Sequence, residues 1–181
     1  TTHVNANAEV VGFSTAGISA AAGTGGLVVN ANADVVSNLG KAIVTNSTGN
    51  AVVNLANGAR AIGLGGTSTA VVDMTTGAGA TTTLNVGTND LVDSVSGSPM
   101  NRALKGQGAG NVVVNNFGVI TGNYDFSGVS GTGTVTINNA TGAVLNVGGS
   151  GAMGPNGDAI VNNGQIETFG QLTTIDFGAG A

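Results

Sequence analysis

The chain has 181 residues, of which 33 are Gly, none is Cys and one is His; charged residues make up 7% and aromatics 3%, against roughly 25% charged in ordinary soluble domains. Nine Asp and Glu against four Lys and Arg give a net charge of -5, which removes the electrostatic footing of nucleic-acid binding. Without Cys there is no disulfide framework, thiolate zinc site or cysteine nucleophile, and one His leaves no His-based triad or His-rich metal site.

Val outnumbers Leu and Ile together, and β-branched residues favour extended backbone over helix. No apolar run approaches the roughly 18 residues of a membrane-spanning helix, so no membrane insertion is expected. The opening residues, Thr1 to Asn5, lack an initiator Met and the charged and apolar regions of a signal peptide, so the chain is expected to be mature or excised. His3 lies in this terminal segment and is read as exposed or packing rather than catalytic. Abundant Thr, Asn and Gly with few Lys is the composition expected of an exported surface protein.

The first element is strand-like and duplicated. Val4-Asn5-Ala6-Asn7-Ala8-Glu9-Val10-Val11 returns as Val29-Asn30-Ala31-Asn32-Ala33-Asp34-Val35-Val36, with Glu exchanged for Asp. Weaker copies begin at Ile43-Val44-Thr45-Asn46 and Val53-Asn54-Leu55-Ala56-Asn57-Gly58. The cluster Gly63-Leu64-Gly65-Gly66 lacks the Lys-Ser/Thr of a phosphate loop and reads as a bend.

Between about 88 and 110 the pattern becomes irregular and is expected to form an insertion. Asn89, Asp90 and Asp93 gather several oxygens, as a solvated acidic turn or a cation site. Ser98-Pro99-Met100-Asn101-Arg102-Ala103-Leu104-Lys105-Gly106 carries a helix signal: Ser to cap, Pro in the first turn, cations in the last, Gly beyond. A short helical excursion is therefore expected near 98–106.

Regularity returns with Val114-Asn115-Asn116-Phe117-Gly118, Ile137-Asn138-Asn139 and Val161-Asn162-Asn163-Gly164. The stretch Gly154 to Ile160 has some of the glycine and aspartate of a calcium-binding β-roll turn, which adds Asp158 to the cation candidates. No cofactor is otherwise implied; calcium is the one candidate. The cations Lys41, Arg60, Arg102 and Lys105 are scattered along the sequence, so no clustered acid and base marks a polysaccharide-cleaving site, and a non-enzymatic role is expected.

A period in the low twenties with short Val-rich strands broken by Gly and Asn is the pattern of a parallel β-helix. The whole chain is then one all-β solenoid domain of seven to nine coils, the alternative being a β-sandwich. Small inward side chains stack one coil above another, and aligned Asn residues form amide ladders; Asn115, Asn138 and Asn162 are expected in one column. Neither end carries an evident cap, so Val4, Val10 and Val11 at one end, and Leu172, Ile175 and Phe177 at the other, are expected to mediate self-association.

These repeats, over residues 111–181 and more loosely 1–60, resemble the β-helical passenger regions of bacterial autotransporters and related surface adhesins. The resemblance implies an extracellular or cell-surface location and a role in adhesion, aggregation or coat formation. The expected function is a self-associating structural subunit, a fibre, coat or adhesin stalk; the alternative is a module that binds cell-surface polysaccharide or host surfaces.

Overall fold

A computed structural model describes residues 1–13, 16–65, 70–94, 102–168 and, for the backbone, 174–176. The described chain winds through seven coils of three strands each. Coil 1 holds β1 (Thr2–Ala6), β2 (Val10–Gly12) and β3 (Ala16–Ala22). Coil 2 holds β4 (Leu27–Ala31), β5 (Val35–Ser37) and β6 (Lys41–Ser47). Coil 3 follows with β7 (Ala51–Leu55), β8 (Arg60–Gly63) and β9 (Ala70–Thr76). In coil 4 the strands are β10 (Thr81–Val86), β11 (Leu91–Ser94) and β12 (Arg102–Gly108). Coil 5 is β13 (Asn111–Asn116), β14 (Val119–Thr121) and β15 (Asn123–Val129). Coil 6 is β16 (Val135–Asn139), β17 (Val144–Val147) and β18 (Ser150–Ala152), and coil 7 is β19 (Ala159–Asn162), β20 (Gln165–Thr168) and β21 (Thr174–Asp176).

Like strands of successive coils pair in parallel, giving three seven-stranded sheets. This is a three-sided parallel β-solenoid, not the sandwich. At about 4.8 Å per coil the stack is about 30 Å tall.

Alternating burial along each strand sets the register. On the first sheet Val4, Val29, Val53, Leu84, Val114, Ile137 and Ile160 fall in one inward column. The second sheet stacks Val10, Val35, Ala61, Val92, Ile120, Leu145 and Ile166. In the third, Ile18, Ile43, Val72, Leu104, Tyr124, Gly151 and Ile175 are register partners. The middle members of the first column are fully buried, and each such side chain contributes roughly 1.5–3 kcal/mol on leaving water. The duplicated N-terminal octapeptide is thus two adjacent coils in register, Val4 on Val29 and Val10 on Val35.

Coil 5 carries the bulkiest inward side chains, Tyr124 and Phe126, with ring centroids 6.0 Å apart. Glycines in the neighbouring coils make room for them. A Cβ on Gly151 would overlap the Tyr124 ring, and one on Gly106 would overlap Phe126.

The expected helix near 98–106 is corrected over its second half, where Arg102–Gly108 is strand β12, paired with β9 on one side and β15 on the other; residues 98–101 lie outside those described. Two flanking strands and burial of Ala103 and Leu104 outweigh a local capping signal. Gly106 is there to admit the Phe126 ring, not to end a helix. Among the described residues no helix is long and apolar enough to cross a membrane.

Candidate functional site: amide ladders, a charged face and the end coils

The most continuous polar feature runs up the outer side of the first sheet. The Nδ2 of Asn30 donates to Asn5 Oδ1 at 2.8 Å, Asn54 to Asn30 at 2.8 Å, Asn85 to Asn54 at 2.7 Å, Asn115 to Asn85 at 2.9 Å and Asn138 to Asn115 at 2.8 Å. Every bond points toward the first coil. The ladder stops at coil 7, where Asn138 faces Val161.

Asn162 therefore leaves the column expected for it. It stands beside Asn139, one residue further along, because Ile160 takes the inward position under Ile137. Inward apolar phase, rather than the repeated Val-Asn-Asn spelling, decides the alignment. Asn162 belongs to a second, inner ladder of opposite direction: Asn116 Nδ2 donates to Asn139 Oδ1 at 2.8 Å, and Asn139 Nδ2 to Asn162 Oδ1 at 2.7 Å. The same amides also donate to the carbonyls of Val144 and Gln165.

The three cation candidates do not form one cluster. Asp90 is buried in the bend between the first and second sheets, where its carboxylate accepts from Gly58 N at 2.7 Å and Gly87 N at 2.9 Å. Asp93 lies on β11 in register between Ile62 and Thr121; burial raises its pKa above the usual carboxylate value. Asp158, before β19, accepts from Val135 N at 2.6 Å, while its other oxygen is buried without a partner. Among the described residues no three His, Cys, Asp or Glu side chains converge on one point.

Winding gathers charges that are scattered in sequence. Lys41, Arg102 and Lys105 all lie on the third sheet. Lys41 Nζ is 3.0 Å from Asp73 Oδ2, Arg102 Nε is 3.1 Å from Asp125 Oδ2, and Lys105 lies in register between Asp73 and Asp125. Asp73 is almost fully buried, with its second oxygen unpartnered. Beside this row Gln107 Nε2 donates to Thr75 Oγ1 at 2.9 Å. On the second sheet Arg60 pairs with Asp34, its Nε at 2.9 Å; hydrogen bonding from that guanidinium is the main cause holding the Asp34 pKa below the usual value. The sequence signal for these pairs is vertical adjacency, visible only once each coil's length is known.

Among the described residues, exposure rises in the first and last coils. All four residues of β20 are exposed, and so are Val161 and Asn162 on β19. At the other end Val11 is exposed and Val4 and Val10 are half-buried. Ile175 stands in register with Gly151 at the last described strand; Leu172 and Phe177 lie outside the described residues. Tyr124 is buried, whereas Phe13 and Phe117 are exposed aromatics.

Comparison with protein-family models, with curated proteins and with solved structures finds no match to this chain.

Proposed function

We propose that the chain is a non-enzymatic structural module of the extracellular or cell-surface space, which builds a fibre, coat or stalk by self-association through the ends of its coil stack. The observation that carries this reading is the state of the two end coils. Among the described residues no strand pairs with the outer edge of coil 1 or of coil 7, and the apolar columns end on partly exposed β-branched residues, Val4 and Val10 at one end, Ile160 and Ile166 at the other. Unpaired edges of this kind invite strand addition. The resemblance of the repeats to adhesin passenger regions supports the same role.

Light scattering and electron microscopy across a concentration series test it. The expected result is growth of higher-order assemblies by the wild type and a monomeric Ile166→Lys variant, in which an ammonium occupies the end of an apolar column. A wild type that stays a monodisperse monomer at high concentration removes the reading.

A second reading, recognition of cell-surface polysaccharide, draws on the polar row of the third sheet, where Lys105 lies between Asp73 and Asp125 beside Thr75 and Gln107. Lys105→Ala should weaken retention on an acidic polysaccharide column if that reading holds, and leave it unchanged if it does not.

A further inference from the structure

We infer that the partner at each end is a second copy of this chain docked head to tail, its first coil in parallel register on coil 7, with Val4 set on Ile160 and Val10 on Ile166. This rests on the proposed self-association and specifies its geometry.

Backbone phase is the first observation. Thr2 N donates to Gly26 O, and Asn32 N donates to Ala6 O, so Thr2, Val4 and Ala6 turn their peptide groups toward coil 2. By the alternation of a parallel ladder, His3 and Asn5 turn theirs to the side away from coil 2. At the other end Asn163 N donates to Asn139 O, so Val161 faces coil 6, and Ile160 and Asn162 face outward. Every internal coil junction of the first sheet sets inward residue on inward residue, as Val4 on Val29. Applied across two copies, the same rule brings the Ile160 peptide groups to the C=O of His3 and the N–H of Asn5.

Side-chain phase is the second. With Val4 on Ile160, the inward columns of the first two sheets continue across the junction, Ile160 onto Val4 and Ile166 onto Val10, and in the third sheet the backbone position of Ile175 meets that of Ile18. The alternatives fail on this count. Joining two first coils face to face requires a two-fold axis across the rod. Such an axis lets only one sheet meet its equivalent and sets the three-residue β2 against the seven-residue β3. Joining two last coils reverses the strands in the same way. A head-to-tail contact is heterologous and leaves a free end after each addition, so it propagates into a filament.

The absence of Cys allows a direct test. Asn5 and Val161 occupy the same outward column of the first sheet. In the inferred junction their Cα atoms lie about 4.8 Å apart, inside the roughly 4.4–6.8 Å window of a disulfide. Asn5→Cys and Val161→Cys are mixed at equal concentration and oxidised. The expected product is a mixed covalent dimer, with no covalent dimer from either variant alone. His3→Cys with Ala159→Cys, in the neighbouring outward column, gives a second pair should one variant fold poorly.

Cross-linking by Asn5→Cys alone or Val161→Cys alone, without mixed product, overturns the inference and leaves self-association standing. Assembly by light scattering with no cross-link from either pair overturns it as well. A protein that neither scatters nor cross-links removes the proposed function and the inference together.

Discussion

At the bend from the first sheet to the second, coils 1 to 4 end their strands on Ala6, Ala31, Leu55 and Val86, whereas coils 5 to 7 place Asn116, Asn139 and Asn162 at the same register position. Asn116 and Asn139 are as deeply buried as Val86. Coils 4 and 5 show the difference in where a bend finds an acceptor for its free N–H. In coil 4, residues 87–90 form a long bend and Asp90, at its far end, accepts from Gly87 N and from Gly58 N of the previous coil. In coil 5, residues 117–118 alone make the bend; there is no room for such a carboxylate, and Asn116 Oδ1 accepts from Gly118 N at 3.1 Å. A strand-terminal amide and a bend-terminal carboxylate are thus two solutions to one requirement, that buried polar groups be paired.

Breaking the short bend should have the largest effect. A Cβ on Gly118 would overlap the carbonyl oxygens of Asp90 and Gly87, all backbone, so Gly118→Ala should lower stability by about 3 kcal/mol. Gly23→Ala, whose Cβ would meet nothing within 4 Å, should be near neutral in the same urea titration.

Next comes the inner ladder against the outer one. Asn139→Leu strips the partners of Asn116, Asn162 and the Gln165 carbonyl and should cost about 2 kcal/mol. Asn54→Leu, in the half-exposed outer ladder, should cost about 0.5–1 kcal/mol. Equal urea midpoints for the two variants would erase the distinction between buried and outer amides.

Titration separates the regions more gently. Burial pushes the Tyr124 pKa from 10.0 up to about 12. A raised acid pKa means that the folded state favours the neutral phenol. Its contribution is therefore whole below pH 10 and is lost as the pH climbs toward about 12. Tyrosinate absorbance should rise together with loss of the β-sheet circular dichroism signal, and ionisation at the ordinary value in a folded chain would contradict the packing of coil 5. The smallest effect belongs to coil 4. Burial raises the Asp93 pKa, so its ionised form burdens the fold once the pH passes above the unfolded value. Asp93→Asn should raise the urea midpoint slightly at neutral pH and leave it unchanged in acid.

How far the sequence could be read depends on phase. The repeat of Val4 to Val11 at Val29 to Val36 carries inward residues, so it gives both coil length and register directly. The Ile43-Val44-Thr45-Asn46 echo belongs to the third sheet and only imitates the first in spelling. The Asn-Asn dipeptide puts Asn162 in the outer column, although Ile160, two residues before it, is the residue that packs. The helix signal at 98–106 is local, while the pairing that makes 102–108 a strand is contributed by residues about 20 to 30 positions away on both sides. The charged row of the third sheet was hidden by unequal coils: successive outer Asn residues are 25, 24, 31, 30 and 23 positions apart. A fixed period therefore never aligns Lys41 with Asp73.

Gly164 repeats the situation of Gly118: a Cβ there would overlap the carbonyls of Ala140 and Ala143, so the bend at 163–164 rests within the longer bend at 140–143. Over coils 4 to 7 wide and narrow bends alternate, so that each narrow turn at this corner sits on a wide one. Lengthening the rod by one narrow turn after another would leave the second without a hollow to occupy, so a coil inserted above a narrow turn should have to bring a wide one.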